Sequence, residues 1–537
     1  MRTEPSLAPA TMAIPDLTSG LQILARLPLA DPPQAESEIN RVLDSLLQAP
    51  PPAVDYVNLL EQCRVPLVFV EDQRARGYVD KALPLPDVEE AAFQQVVATW
   101  RKIARAYAHC AQLDSAVDDP QHAQRVALIL HRCIHYTGMA IIEHQRVRRE
   151  LPTGLWLDVH GYYASAEEWG VATLPIPDAL DPLGRSSHCM AAFVSLLLAE
   201  LAGPFGLAAH DQRLVRRWAN LWSPLVTLHA AVPGEPLPPF VIDLMQDVGL
   251  RATADCLQTE QLRRLDTSRL AMQMNQVGLQ LSQKMPPAQI GLGEDCTAGQ
   301  CHRLLEHLSR PWLQVRALRK FRRHATSGIA KVCAGFQAMH YFISGREFTQ
   351  PENVHAYSRQ EFDRLFTFRH MVDPTQQLQL RRENLGRAVD DWEVINQSAN
   401  GFRLMRSVVG KKMTHGQLLA IRPHDGEHYL LAQTIWLMQE RGGGLVAGIA
   451  ALPGMPAAVA ARRLARPNES AEPYSPAFLL PANPAIGSEP SLIVPQGWFY
   501  RGRRVEIFTD GTWQVKLMQV LGDGPDFEQV SFVVGEA

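Results

Sequence analysis

The spacing of apolar residues changes once along this chain of 537 residues, near residue 325. Before that point, from about residue 36, apolar residues recur at steps of three and four, as at Phe93, Val96 and Trp100. Steps of this size place the apolar side chains on one face of a helix. Beyond it, short β-branched and aromatic runs alternate with turn residues, a pattern typical of antiparallel strands. No single type of secondary structure can therefore account for the whole chain.

We predict a multidomain α + β protein: an all-α bundle or solenoid-like region, then an antiparallel β-barrel, then a small C-terminal β element. The predicted parts are a disordered tail at 1–35, a helical domain at 36–312, a barrel at 313–460 with a helical insertion at 346–390, a linker at 461–491 and a small β domain at 492–537. Within the helical domain, periodicity predicts helices over 91–113, 124–146, 189–203, 211–231, 239–257, 260–284 and 300–309.

Composition and charge restrict the class of protein. The formal net charge is −4, so the molecule as a whole does not attract nucleic acid, and any such attraction needs a local patch. The longest apolar run, residues 190–199, is about half of the ~20 residues that cross a bilayer, so we expect no membrane span. The start of the chain lacks the apolar core of an export signal, and the eight cysteines are scattered. We therefore expect a cytoplasmic protein with reduced thiols.

Most signatures of enzymes and metal sites are missing from the sequence. The only Gly-Lys pair, Gly410-Lys411, lacks the frame of a phosphate-binding loop, and no GxSxG or strand-linked GxGxxG is present. The segment "HRCIH" has Arg132 where a zinc protease needs a glutamate base. The segment "CTAGQCHRLLEH" has loosely spaced cysteines and resembles an amphipathic helix more than a zinc site. We expect no enzyme, no metal and no cofactor.

One basic segment stands out on this near-neutral chain. Between Glu306 and Glu347 there are eight arginines and lysines and no acidic residue. Four of the eight lie within "RKFRR" (319–323), directly before the apolar run "GIAKVCAG". A solvated face usually mixes both signs of charge, and arginine is suited to bidentate contact with phosphate or guanine. The segment therefore predicts a loop that binds an anionic or guanine-containing ligand, anchored to a strand.

Together with a second segment, this loop resembles the PilZ domain, a bacterial receptor module for cyclic di-GMP. The family pattern is RxxxR before the first strand and (D/N)xSxxG after the next. Arg319 and Arg323 match the first half, and "NQSANG" (396–401) after "WEVI" matches the second. The strands "GQLLAIRP", "LLAQTIWLMQ" and "GLVAGIAAL" follow in the family's order. The resemblance covers about 315–455.

The resemblance implies a set of ligand-binding residues. Those carried over directly are Arg319, Arg323, Asn396, Ser398 and Gly401, with Arg322 as an additional candidate. The arginines would contact phosphate or guanine, and the turn would present an amide, a hydroxyl and backbone N–H groups. Asn396 and Ser398 could instead only shape the turn. This chain departs from the family in separating Arg323 from Asn396 by 72 residues, so the insertion either completes or covers the site.

We therefore expect a cyclic di-GMP effector, in which a PilZ-like barrel couples nucleotide binding to a helical region that signals or docks a protein partner. The alternative is a scaffold with a degenerate barrel, acting in motility, pilus or secretion assembly without nucleotide. An enzyme assembled within the helical region and nucleic-acid binding by the basic loop are weaker alternatives. The sequence does not identify the protein partner, the output pathway or the oligomeric state.

Overall fold

The fold was analysed on a computed structural model. It describes residues 14–534 except 15, 114–118, 120, 182–183, 233, 256–258, 316–322, 352–388, 399, 408–409, 465–471, 484–486 and 510. The chain divides into two compact units, residues 1–81 with 85–318, and residues 82–84 with 319–537. None of the described helices is long and apolar enough to cross a bilayer.

The first unit is mainly helical, and several of its helices begin at a residue whose side chain caps them. Its helices are α1 (Leu17–Leu24), α2 (Pro32–Gln48), α3 (Ala53–Ala75), α4 (Asp87–Leu113), α5 (His122–Arg146), α6 (Leu155–Glu168), α7 (Cys189–Leu201), α8 (Ala209–Trp222), α9 (Ser268–Ser282) and α10 (Ala298–Trp312). Asp31 accepts a hydrogen bond at the start of α2, and Thr297 and Gln300 cap α10 reciprocally. Helix α1 lies within the segment predicted to be a tail.

The first unit also contains strands that the sequence pattern did not predict. A two-stranded sheet pairs β1 (Ile176–Pro177) with β2 (Ser186–Ser187), and a second sheet has the order β3-β6-β4-β5. The second sheet consists of β3 (Thr227–Ala230), β4 (Phe240–Asp243), β5 (Arg251–Ala252) and β6 (Leu262–Asp266). The helix predicted over 239–257 is therefore wrong. Residues Phe240–Asp243 instead pair with β5 and β6, with Val241 opposite Arg251 and Ile242 opposite Arg263, so pairing between separate segments overrides the local spacing of apolar residues.

The second unit begins with an antiparallel sheet of seven strands, six of which close into a barrel. Its strands are β7 (His324–Ala325), β8 (Ile329–Ala334), β9 (Val389–Ser398), β10 (Gly401–Arg406), β11 (Leu418–Arg422), β12 (Leu430–Gln439) and β13 (Leu445–Ala451). The order β10-β13-β12-β11-β8-β9 closes through pairing of β9 with β10, and β7 pairs with the end of β9. Closure leaves no open sheet edge within the ring. Most of the predicted insertion, residues 352–388, lies outside the described residues.

A second closed barrel follows in the same unit. Its strands are β14 (Ala457–Arg463), β15 (Ser475–Leu480), β16 (Ser491–Pro495), β17 (Arg504–Phe508), β18 (Thr512–Asp523) and β19 (Phe527–Val534), in the order β14-β15-β16-β19-β18-β17. Strand β15 lies in the segment predicted to be a linker. Helix α11 (Phe336–Ser344) packs between the barrels, and one core joins them through Met339, Leu418, Phe478 and Ile493.

Helix α3 carries a buried acid without a hydrogen-bonding partner. Glu71 is 1% exposed, and neither of its carboxyl oxygens has a hydrogen-bond partner among the described residues. Burial raises the pKa of Glu71 to about 10, and the nearby carboxylates of Glu36 and Glu143 act in the same direction. Arg74 opposes this shift only in part. Glu71 is therefore protonated and neutral in the folded protein at neutral pH.

Glu71→Gln is expected to stabilise the protein increasingly as pH rises. The folded-state pKa lies above the unfolded one, so the wild type loses stability between about pH 5 and pH 10, by up to about 1.4 kcal/mol per pH unit. Glutamine has the same shape and no proton to release. Thermal denaturation at a series of pH values should show the melting temperature of Glu71→Gln rising increasingly above that of the wild type as pH increases. Glu38→Gln, which alters a partly exposed surface ion pair, should have the same pH dependence as the wild type. Parallel curves for Glu71→Gln and the wild type would contradict this account.

Candidate functional site

The predicted site residues fall on two neighbouring segments of the first barrel. Arg319 and Arg322 lie outside the described residues. Arg323 is exposed and directly precedes β7. Asn396 and Ser398 lie at the end of β9, and Gly401 begins β10, so "NQSANG" spans the β9–β10 hairpin. The segment therefore occupies the turn position that the sequence predicted.

A β-bulge determines the direction of Asn396. In the β9–β10 register, Leu404 pairs with Val394 and Arg403 pairs with Asn396, which leaves Ile395 unpaired. Val394 and Leu404 are buried in the barrel core, at 4% and 1% exposure. Because paired residues project to the same side and the bulge shifts the alternation by one, Asn396 lies with Arg403 on the face away from that core.

The short strand β7 brings the basic loop to the hairpin. His324 pairs with Gln397 and Ala325 pairs with Asn396. Continuing this antiparallel register by one residue places Arg323 opposite Ser398, on the same face as Asn396. The 72 residues between Arg323 and Asn396 in the sequence therefore do not separate the two segments in the fold.

The geometry of the hairpin explains the small residues at Ser398 and Gly401. A Cβ at Gly401 would lie 2.6 Å from the backbone oxygen of Ile449 on β13, so a side chain there would force the strands apart. The Ser398 hydroxyl lies 3.3 Å from Asn400 Oδ1 and 3.4 Å from the Gly401 carbonyl oxygen. Ser398 thus shapes the turn, as one of the two sequence interpretations proposed, and these long contacts leave its hydroxyl able to rotate towards a ligand.

Two further residues, Arg403 and Trp436, lie on this face, and the sequence analysis identified neither. Gly448 pairs with Arg403 on one side and with Trp436 on the other, so the three residues form one row. The Arg403 guanidinium lies 5.7 Å from the centre of the Trp436 ring, a cation–π arrangement above the space that Gly448 leaves. Arg403 follows Gly401 by two residues, and strand alternation would have assigned it to the same face. Trp436 gave no comparable signal, because a second bulge leaves Ile435 unpaired and sets its direction.

Asn396 pairs with Arg403 and so extends this row, which contains buried polar atoms without hydrogen bonds. Asn396 Oδ1 and Arg403 Nε are both shielded from solvent, and neither has a hydrogen-bond partner among the residues that the structure describes. An unpaired buried polar atom costs about 1–3 kcal/mol, and native proteins rarely tolerate one without a functional reason. We call Arg323, Asn396, Ser398, Arg403 and Trp436 the hairpin face. It offers an acceptor, guanidinium donors and an aromatic surface.

Neither candidate metal segment forms a metal centre among the described residues, where no group of three histidine, cysteine or acidic side chains is placed to hold an ion. In "HRCIH" the rings of His131 and His135 stack 6.4 Å apart. In "CTAGQCHRLLEH" the Cys301 thiol lies 3.3 Å from Cys296 Sγ, and burial raises the pKa of Cys301 to about 12. Thiols with such a pKa stay protonated and are poor metal ligands.

Three family models match consecutive parts of the chain. The model described as "Cyclic-di-GMP receptor FimW, N-terminal domain" matches residues 19–233. The "middle PilZ domain" of the same receptor matches residues 240–384, and the "FimW C-terminal beta-barrel domain" matches residues 459–534. The middle match includes the basic loop, β7 and β8, and it ends before the β9–β10 hairpin.

One curated relative is similar over nearly the whole chain. The cyclic-di-GMP receptor FimW of Pseudomonas aeruginosa is 24% identical over 536 residues, which cover 91% of this chain and 85% of that protein. No solved structure matches. The three matched domains follow one another along the chain, although the middle match begins at residue 240 in the helical unit and, of the strands of the first barrel, includes only β7 and β8.

Proposed function

We propose that this chain, a member of the PilZ domain family with the domain order of FimW, is a receptor that binds cyclic di-GMP on the hairpin face. The ligand carries two phosphates and two guanine bases. The hairpin face supplies a partner for each kind of group, and the basic loop brings further arginines to it. The protein acts as an effector rather than as an enzyme.

Each residue of the hairpin face has a distinct role in this proposal. The Asn396 amide hydrogen-bonds to a guanine edge, where its free Oδ1 accepts from the base N–H groups. Arg403, held over Trp436, offers its planar guanidinium to a guanine face or to O6 and N7. Arg323 and Arg319 clamp phosphate oxygens through charge-assisted hydrogen bonds. Gly401 permits close approach at the turn.

The observation that carries the proposal is the pair of unpartnered atoms, Asn396 Oδ1 and Arg403 Nε, on one face of the barrel. A bound guanine would supply the missing hydrogen bonds, so the cost of leaving these atoms unpaired is recovered when the ligand binds. The scaffold alternative gives no reason to keep them. The β7–β9 pairing also argues against a degenerate barrel, because it holds Arg323 at the hairpin.

The receptor also needs an output, which we assign to the helical unit. Binding at the hairpin face is expected to fix the Arg319–Arg323 loop, which begins seven residues after the last residue of α10. The loop therefore connects the nucleotide site to the helical unit covalently. A change in the conformational freedom of this loop can alter which surface of the helical unit is available to a protein partner. The protein is expected to act in the cytoplasm, where cyclic di-GMP is made.

Asn396→Ala is expected to weaken cyclic di-GMP binding about tenfold, because one buried base contact is lost. Isothermal titration calorimetry of the full chain measures this directly, with cyclic GMP as a ligand that lacks the second guanine. Gln397→Ala is the matched control, since Gln397 is the next residue on β9 and projects to the other face. Absence of binding by the wild type at about 100 μM cyclic di-GMP, a concentration far above a receptor's Kd, would overturn the proposal.

A further inference from the structure

The helical unit contains a cleft of about 450 Å³ that the proposed nucleotide site does not use. One side is a single face of α5, formed by His131, His135, Met139, Ile142 and Arg146. Their spacing of three and four residues aligns them along about 22 Å of helix. The volume is in the range of small-molecule sites. We call this space the α5 cleft.

The opposite side of the α5 cleft is built from small and polar residues. Helix α7 contributes Ala192, Ser195 and Ala199, again on one helical face. Helix α8 contributes Arg216 and Asn220. The short side chains of α7 leave the space open, so the cleft is a feature of the sequence on both helices rather than a packing gap at one residue.

Arg216 is the cation in the cleft that lacks an acidic partner. The other three arginines of the lining are paired: Arg146 with Glu143, Arg185 with Asp181 and Arg217 with Asp295. Arg216 makes no hydrogen bond and no ion pair with the described residues. Burial lowers the pKa of Arg216 to about 10, and the positive charge of Arg146 lowers it further. The guanidinium remains charged at neutral pH and would be stabilised by an anion.

The negative charges of Glu143 and Asp72 raise the pKa of Arg216 and so offset part of the effect of burial, but the acids of the lining are already paired with other groups. Glu143 accepts from Tyr78 Oη at 2.8 Å and from Arg146 at 2.7 Å. Asp178 accepts from Arg64 at 2.7 Å; burial raises its pKa, but the positive charges of Arg132 and Arg64 outweigh burial and hold it at about 2. Asp72, the most exposed of them, lies 3.3 Å from the Arg76 guanidinium.

His131 provides a second unsatisfied group in the same cleft. The side chain is 2% exposed, and its Nδ1 lies 3.0 Å from Arg132 Nη1. A guanidinium can only donate, so Nδ1 is the acceptor and the proton of the neutral ring is on Nε2. His131 Nε2 has no hydrogen-bond partner within the part of the chain that the structure describes. It is therefore a buried donor without an acceptor, in a cleft large enough to hold one.

We propose that the α5 cleft binds a small organic anion with an apolar body. The carboxylate or phosphate of this ligand pairs with Arg216, and its apolar body lies along Met139, Ile142 and Leu196. An acceptor atom of the ligand accepts a hydrogen bond from the His131 Nε2–H group. The two unsatisfied groups account for two polar contacts, and the apolar lining between them provides the area that buries the rest of the ligand.

Calorimetric titration of the full chain with octanoate, octyl phosphate and octanol tests this proposal. We expect one of the two anions to bind at least about tenfold more tightly than octanol, because only the anion forms a charge-assisted pair. Stronger binding of octanoate identifies a carboxylate ligand, and stronger binding of octyl phosphate a phosphate ligand. Equal binding of all three, or no binding of either anion, overturns the proposal.

Two variants and one control make the test specific. Arg216→Met should weaken binding of the anion about tenfold and leave octanol unchanged, whereas Arg213→Met, an exposed arginine one turn earlier on α8, should change neither. Ser195→Phe should abolish binding of all three probes by filling the space, with circular dichroism confirming the helical content. Unchanged anion binding in Arg216→Met contradicts the proposal. None of these variants should alter cyclic di-GMP binding, which separates this site from the hairpin face.

Discussion

Replacing Arg319 and Arg323 together by alanine is expected to weaken cyclic di-GMP binding by about 100-fold or more. Each arginine contributes charge-assisted hydrogen bonds to phosphate, and each such contact is worth about tenfold or more in affinity. Arg323 is placed for this role by β7, which aligns it with Ser398 at the edge of the hairpin face. Arg319 precedes it by four residues in the same basic segment.

Titration calorimetry of the full-length double variant measures the loss, with Arg346→Ala as the control. Arg346 belongs to the same basic segment and is exposed, but β8 and α11 separate it from β7 along the chain. A general attraction between the basic segment and an anion would respond to all three arginines alike and would weaken steeply with salt. Equal affinities of the double variant and Arg346→Ala would exclude the arginine clamp.

Glu61→Ala is expected to lower the free energy of unfolding by about 3–5 kcal/mol, because it removes one partner from a buried ionic network. Glu61 holds Arg132 through two bonds of 2.8 and 2.9 Å and accepts from Arg64 at 3.1 Å. The side chains of both arginines are completely buried. Tyr107 Oη donates to the same carboxylate at 2.7 Å. Without Glu61, Asp178 would be the one acid among the described residues paired with the two buried guanidinium groups.

Urea denaturation followed by circular dichroism at the helical minimum measures this loss. Glu38→Ala is a suitable comparison, since Glu38 pairs with Arg41 within one turn of α2 on the surface and such pairs are worth less than about 1 kcal/mol. Glu61→Gln should give an intermediate value, because the amide keeps the shape and one acceptor. A midpoint for Glu61→Ala that matches Glu38→Ala would show that the buried network does not stabilise the helical unit.

The barrel and its hairpin could be predicted from the sequence because their signals are local. Strand alternation and turn residues act within a few positions, and Gly401 is required by the backbone of the neighbouring strand. The motif order then related Arg323 to Asn396 before any geometry was known. The fold confirmed the helical region and the barrel, whereas the roles of the six site residues remain a proposal.

The features that escaped sequence analysis depend on contacts between distant segments. Two bulges direct Asn396 and Trp436 to the hairpin face. A bulge depends on the pairing between two strands, so the apolar pattern of one strand alone does not reveal it. The helix predicted over 239–257 failed because apolar residues at three- and four-residue steps also occur in short strands joined by prolines. The α5 cleft requires α5, α7 and α8 to be adjacent, and periodicity within one helix does not show this.

The most direct test of the central proposal is hydrogen–deuterium exchange of the full chain with and without cyclic di-GMP. We expect the ligand to protect the amides of β7 and of the β9–β10 hairpin, together with the Arg319–Arg323 loop, because ligand contacts and loop ordering both slow local opening. Protection should be lost in the Arg319→Ala/Arg323→Ala variant. Protection confined to the helices around the α5 cleft, or no protection at saturating ligand, would contradict binding at the hairpin face.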